Sequence, residues 1–253
     1  MGTTGIALVT GGAKRIGRAI SEDLAAHGFT VIVHANSSGE EAKRLVDDIL
    51  SRGGRAHALT ADLTDPAAVA ALIPRASDLG GPIDLLVNNA STFIDDSLGN
   101  LDAETWDRHF SIHLKAPVFL AEAMAARLPR DREGLIINVI DQRVWRLTPN
   151  FVSYTLSKSA LWTATCTLAQ ALAPHIRVNG IGPGPTLRNA RQSEEDFQRQ
   201  IRAVPLERGP ELSEFGATIR YLWENRSITG QMIALDGGQH LAWETPDVAG
   251  VNE

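Results

Sequence analysis

Ile6-Ala-Leu-Val9 runs straight into Thr10-Gly-Gly-Ala-Lys-Arg-Ile-Gly17. A short apolar run bounded by glycine reads as a strand buried on both faces. Residues 15–28 then carry Ile16, Ala19, Ile20 and Leu24 at helical spacing, with Gly28 as the stop. The glycines between strand and helix permit a tight turn and let the backbone approach a phosphate at the helix N-terminus. The same alternation continues outward. Further strands are predicted at 30–33, 56–59, 83–87, 135–139, 176–179 and 232–235. Further helices are predicted at 39–52, 65–79, 102–128, 152–173 and 213–223, with Pro66 in a first turn and Pro117 as a bend. Residues 186–205 read as a polar, charged insertion. Strand and helix in strict alternation imply one α/β domain: a doubly wound seven-stranded parallel sheet with helices on both faces. It spans 1–253, with a polar tail at about 244–253 and no repeat or linker. Ligands in such sheets bind beyond the carboxyl ends of the strands.

The chain is 253 residues long, 43% hydrophobic and 21% charged, enough for one substantial core. Its net charge of −6 and the lack of a basic block argue against nucleic acid or an anionic membrane as partner. The single cysteine, Cys166, excludes an internal disulfide and a multi-cysteine metal site. It falls inside a predicted helix, so a buried, inert thiol is expected, and no metal is. No apolar run reaches the ~20 residues of a membrane span, and no charged-then-apolar leader opens the chain. A soluble cytoplasmic protein with a small-molecule substrate is expected.

Tyr154-Thr-Leu-Ser-Lys158 places a phenol and an ammonium one turn apart on a helix face. An ammonium beside a phenol favours the phenolate and is expected to lower its pKa toward the working range. Thirteen residues before Tyr154 stands Asp141, in a segment that also reads as a surface turn. After the second strand comes His34-Ala-Asn36-Ser37-Ser38, without the acid that holds the ribose 2′-hydroxyl of NAD. An adenosine 2′-phosphate accepts hydroxyl and amide donors and rejects a carboxylate. Lys14 and Arg15 would add positive charge, so NADPH is the expected cofactor. His34 and Asn36 as plain capping and turning residues is the rival reading. Asp62 can likewise cap a helix, Phe93 can pack in a core, and His113 is as well explained by packing as by catalysis.

These segments resemble the short-chain dehydrogenase/reductase family, which has a Rossmann fold. Thr10 to Gly17 is similar to its T-G-x-x-x-G-x-G loop, with Arg15 in place of the middle glycine. Asn88-Asn89-Ala90-Ser91 is similar to N-N-A-G, and Asp141 stands where the family has serine. Arg15, Ser91-Thr92-Phe93, Asp141 and Leu235-Asp-Gly-Gly238 together resemble the pteridine reductase branch. The resemblance implies that Gly11, Lys14, Arg15, Ile16 and Gly17 hold the cofactor pyrophosphate. His34, Asn36 and Ser37 would meet the 2′-phosphate, and Asp62 and Leu63 the adenine. Asn89, Ala90 and Ser91 would border the nicotinamide, and Asn179, Pro183 and Gly184 the carboxamide. Lys158 would bind the nicotinamide ribose. Phe93 would stack the substrate, Arg15 would contact it, and Asp141, Tyr154 and Lys158 would handle the proton. The family's catalytic asparagine falls at His113. The resemblance also implies a homotetramer pairing the helices at 102–128 and 152–173 through residues such as Val118, Leu161, Trp162 and Leu168. The function implied is NADPH-dependent reduction of a dihydropterin or dihydrofolate. One rival is a ketone or 3-oxoacyl thioester reductase, which an ionised Asp141 would oppose by repelling a developing alkoxide. Another is a non-catalytic nucleotide sensor, against which Tyr154 and Lys158 both argue.

Overall fold

The computed structural model describes residues 4–188 and 192–243, so the expected polar tail lies outside the described residues. Strand β1 (Gly5–Val9) is buried at every position and lies between β2 (Phe29–Ala35) and β4 (Leu85–Asn88). With β3 (Arg55–Thr60), β5 (Gly134–Val139), β6 (Ile176–Pro183) and β7 (Met232–Leu235), they form the expected seven-stranded sheet, ordered β3-β2-β1-β4-β5-β6-β7. Every pairing is parallel. The order of strands reverses between β1 and β4, which opens a crevice at their carboxyl ends.

Alternation along each strand feeds two cores. Val9, Val31 and Leu85 face Leu24 of α1 (Arg15–Ala26), Leu45 of α2 (Gly39–Ser51) and Phe215 of α8 (Leu212–Glu224). Leu8, Ile32 and Leu86 face Leu72 of α3 (Pro66–Gly80), Leu120 of α5 (Ala116–Arg127) and Ala169 of α6 (Val152–Leu172).

Three expectations change. The helix expected at 102–128 is α4 (Ala103–Phe110), a π turn (Ser111–Lys115) and α5. Pro117 lacks the N–H that would bond the His113 carbonyl and its ring would crowd that carbonyl, so the chain widens in the preceding turn. The polar insertion contains a helix, α7 (Glu194–Arg202), whose N-cap Ser193 accepts the Asp196 N–H; residues 189–191 of the insertion lie outside the described residues. Of the apolar residues expected to face another subunit, Leu161 is buried and Leu168 packs on the chain's own core. The large exposed apolar side chains on those helices are Phe119 and Leu156. Cys166 is partly buried, with Sγ 3.8 Å from Gly230 O. Among the described residues, no helix is long and apolar enough to cross a membrane.

Candidate active site

The loop after β1 is laced to the loop after β4. Thr10 Oγ1 accepts the N–H groups of Asn89 and Ala90 at 3.0 Å, and Asn89 Nδ2 donates to Thr10 O and Gly11 O at 2.9 and 3.1 Å. Gly11 is left-handed (φ 61°) and a Cβ there would meet Ala90 Cα at 2.9 Å. A Cβ on Gly17 would overlap Gly11 O outright. Arg15, which stands at the family's glycine position, is left-handed at φ 52°, a conformation that costs a non-glycine residue roughly 1 kcal/mol or more. Its guanidinium donates to Leu187 O and Arg188 O at 3.0 and 3.1 Å, tying the cofactor loop to the insertion.

Neither Lys14, at the N-cap of α1, nor Ser38, at the N-cap of α2, makes a side-chain cap bond. The first turn of α1, which also carries no acid, can therefore serve an anion, whereas that of α2 carries Glu40 and Glu41, and the Glu41 carboxylate takes its own N–H. A cavity of about 560 Å³ opens there, lined by Gly11, Lys14, Arg15, Ile16, Gly17, His34, Asn36, Ser37, Asp62, Leu63, Asn89, Ala90 and Ser91. The structure thus gathers most of the predicted cofactor residues. Two of them act differently from expectation. Both ring nitrogens of His34 are taken: Nδ1 accepts the Gly11 N–H at 3.2 Å and Nε2 lies 3.1 Å from Ala61 O. Burial lowers its pKa to about 4, against the raising effect of the Ala61 bond. His34 is therefore a neutral brace for Gly11, with no donor left for a phosphate. Lys14 is paired with Glu41 at 2.7 Å. Asp62 accepts from Thr64 N and Oγ1 at 2.9 and 2.8 Å, while Asp65 caps α3.

Pro183 and Gly184 line an adjoining cavity of about 600 Å³, together with Asp141, Arg143, Phe151 and residues of the insertion. Arg15, Ile16, Phe93 and Tyr154 line both cavities and mark their junction. There Tyr154 Oη donates to Asp141 Oδ2 at 2.9 Å, while Asp141 Oδ1 accepts the Arg143 N–H at 2.9 Å, so Asp141 both caps a turn, as the rival reading had it, and lines the cavity beside the phenol. Lys158, buried one turn on, donates to Val139 O at 2.8 Å, with Nζ 5.9 Å from the Tyr154 ring centroid. The expected lowering of the phenol's pKa is not what this arrangement gives. Burial and the neighbouring Asp141 carboxylate push Tyr154 well above its ordinary value, against Arg143 and Ser91. Burial brings Lys158 down to about 8, with Asp141 opposing.

Phe93 is not core filler: its ring meets Tyr154 edge-on at 4.7 Å and Phe151 at 4.6 Å. Asn179 is buried in mid-strand, donating to Ile228 O and accepting Gln231 N–H, and lines neither cavity. Sequence reasoning missed Phe151, Arg143 and His109. Phe151 is left-handed (φ 58°), and the Arg143 guanidinium lies 4.9 Å from its ring and 5.3 Å from that of Phe93. An aromatic three residues before the tyrosine and an arginine two after the aspartate were the available signals. Among the described residues, no group of three His, Cys, Asp or Glu is placed to hold a metal ion.

A strand–glycine loop–helix junction, a buried Tyr-x-x-x-Lys pair and a crevice at the strand switch define a nucleotide-dependent oxidoreductase. The family model described as short chain dehydrogenase matches residues 5–199, and the chain belongs to that family. The 3-oxoacyl-[acyl-carrier-protein] reductase FabG of Staphylococcus aureus is 30% identical over 246 residues, 95% of this chain and 100% of that one. Among solved structures, FolM alternative dihydrofolate reductase 1 from Brucella suis, in complex with NADP, is 62% identical with a TM-score of 0.95, covering 98% of this chain and 100% of that one. A blue fluorescent protein from a metagenomic library, in complex with NADPH, is 32% identical with a TM-score of 0.86, covering 93% of this chain and 98% of that one.

Proposed function

We propose that this protein is an NADPH-dependent reductase of a dihydropterin-type substrate, dihydrofolate or a simpler dihydropterin. The observation that carries the reading is the 2.9 Å hydrogen bond from Tyr154 to Asp141 where the two cavities meet. NADPH supplies a hydride to the carbon of a C=N bond, and the nitrogen left behind takes a proton. In this reading Asp141 and Tyr154 form the set that delivers it: the phenol keeps its proton against the Asp141 carboxylate, and the carboxylate orients a water that gives a proton to the ring nitrogen, which a serine hydroxyl does less well. Phe93 gives a flat heterocycle a stacking wall. Lys158 is buried one turn past Tyr154, with Nζ bonded to Val139 O; in this reading it binds the cofactor ribose. The uncapped first turn of α1, with no acid in it, would suit the pyrophosphate. The likeness to an NADP-bound dihydrofolate reductase at 62% identity supports the same reading.

The test is NADPH oxidation by purified protein with dihydrofolate, dihydropterins, quinonoid pterins, ketones and 3-oxoacyl thioesters. Turnover of dihydropterins is expected. Ready turnover of ketones or thioesters with none of any dihydropterin would overturn the reading.

One catalytic domain over 1–253, in the cytoplasm, is consistent with a sheet that draws strands from Gly5 to Leu235 and with a single cysteine. The reading includes a homotetramer. Phe119 on α5 and Leu156 on α6, 52% and 46% exposed, are apolar surface that a second copy would cover. Light scattering at micromolar concentration is expected to give four times the 27.3 kDa chain mass, and a monomeric mass would refute it.

A further inference from the structure

Two histidines, His109 on α4 and His113 in the π turn, lie fully buried behind the wall that carries Phe93. Each bonds one loop N–H and one α6 serine, and His113 Nε2 also lies 3.0 Å from Ser91 Oγ. His113 Nε2 accepts the Thr92 N–H at 3.1 Å, and its Nδ1 lies 2.8 Å from Ser157 Oγ. His109 Nε2 accepts the Ile94 N–H at 3.3 Å, and its Nδ1 lies 2.6 Å from Ser153 Oγ. A backbone N–H bonds only a bare ring nitrogen, so both rings carry their proton on Nδ1. Ser157 Oγ donates onward to Tyr154 O at 2.8 Å, which leaves its lone pair for the His113 N–H.

The spacing explains the repeat. Residues four apart on a helix are separated by about 6 Å, and residues two apart in extended chain by about 6.6 Å. His109 and His113, Ser153 and Ser157, and Thr92 and Ile94 therefore share one period, and the histidine rings stack at 5.4 Å. Thr92 and Ile94 are the two immediate neighbours of Phe93.

We propose that His109 and His113 are positioning residues for the reductase: two neutral imidazoles that present bare Nε2 atoms to the loop and so fix the Phe93 ring against Tyr154. The clamp accounts for a histidine where the family resemblance places an asparagine. Burial, with Lys158 adding to it at His113, holds both rings below their ordinary pKa and keeps the acceptors available. That the fixed wall faces a pterin-type ring rests on the function proposed above; the clamp itself does not.

Imidazole nitrogen NMR at pH 7 is expected to show both rings as Nδ1–H tautomers, and Thr92 and Ile94 amides to exchange slowly. His113→Leu and His109→Leu are expected to speed exchange of those amides and to raise the dihydropterin KM about tenfold, with the NADPH Kd within threefold of wild type. His113→Gln, whose Oε1 reaches toward the Nε2 position, is expected to recover most of the KM. If a leucine variant fails to fold, Ser157→Ala and Ser153→Ala leave the rings in place, release the Nδ1 proton and are expected to shift exchange and KM in the same direction by less. Nε2–H tautomers or imidazolium in wild type overturn the proposal. So do unchanged exchange and KM in the variants, or equal losses of KM and NADPH binding in the leucine and glutamine variants alike. If wild type reduces no dihydropterin, the proposed function fails, while tautomers and amide exchange still decide the clamp.

Discussion

At position 141 a carboxylate accepts the Tyr154 phenol, with the phenol proton held by burial and by that charge. Two consequences follow. Asp141→Ser is expected to lower dihydropterin turnover by about 10²-fold or more, the usual share of a positioned acid, and unchanged turnover would remove Asp141 from the chemistry. Asp141→Asn removes the charge but keeps the shape, so the Tyr154 phenolate is expected to form at lower pH than in wild type. Ultraviolet titration reads this directly, because the chain has two tyrosines. On the cofactor side, Asn36 stands where an acid would repel a 2′-phosphate. Asn36→Asp is expected to reduce the preference for NADPH over NADH by about tenfold or more, one charge-assisted contact being lost and a repulsion added. Equal catalytic efficiency of wild type with both cofactors would contradict the reading. Tyr154, Lys158 and Asp141 were legible in the sequence because their register along one strand–loop–helix unit is local. His34 was legible as a site residue but not in its role. A letter code does not show that both ring nitrogens are spent on Gly11 N and Ala61 O. Phe151 and Arg143 escaped because their meeting with Phe93 joins loops more than forty residues apart, which no spacing rule encodes.

The elements rest on close approach at one point, the first turn of α1 against the loop that precedes it. Gly17→Ala would drive a methyl group into Gly11 O and crowd Asn89 Nδ2, which ties that loop to β4. It is expected to destabilise the protein by about 1–3 kcal/mol, as overpacking does, and, if the displaced backbone holds the pyrophosphate as proposed, to weaken NADPH binding. Thermal unfolding and cofactor titration check the two effects, and an unchanged Kd would show that the loop does not hold the pyrophosphate. The central strands were legible because both faces of the sheet are covered there, so β1, β4 and β5 are nearly continuous apolar runs, whereas β3, at the edge, is not. Their ends were less so: β6 extends four residues past the predicted Asn179 and carries Pro183 to the cavity. The π turn was invisible because Pro117 announces a disturbance without saying how the preceding carbonyls will be accommodated. Helix α7 lacks a buried residue altogether, so periodicity could not reveal it. Ser193 followed by three acids, with Arg199 and Arg202 at the far end, is the end-signal pattern that would have.

Over the whole molecule, the crevice is braced by histidines held neutral, and this gives the fold an acid weakness above the carboxylate range. His34 is the clearest case, its pKa lowered from 6.5 to about 4 chiefly by burial. His109 and His113 are lowered in the same sense, also by burial first. A group whose folded pKa is depressed leaves the unfolded chain holding more protons below the unfolded value. Its contribution is intact above pH 6.5 and declines as pH falls toward 4. At pH 5 the loss from His34 alone is about 2 kcal/mol. The histidines of the clamp add to it in the same direction. Asp84 pulls the other way, since burial raises its carboxyl pKa despite the Ile6 N–H and Arg132 that serve it. Stability from urea unfolding at fixed protein concentration is therefore expected to fall by about 2 kcal/mol or more between pH 7.5 and pH 5. In His34→Gln the amide can still occupy part of the space without taking a proton in the unfolded chain, so the decline is expected to be shallower by about that amount even if the variant starts less stable. A wild-type stability that stays level to pH 5, or a His34→Gln profile parallel to wild type, would show that these rings are not the groups that titrate on unfolding.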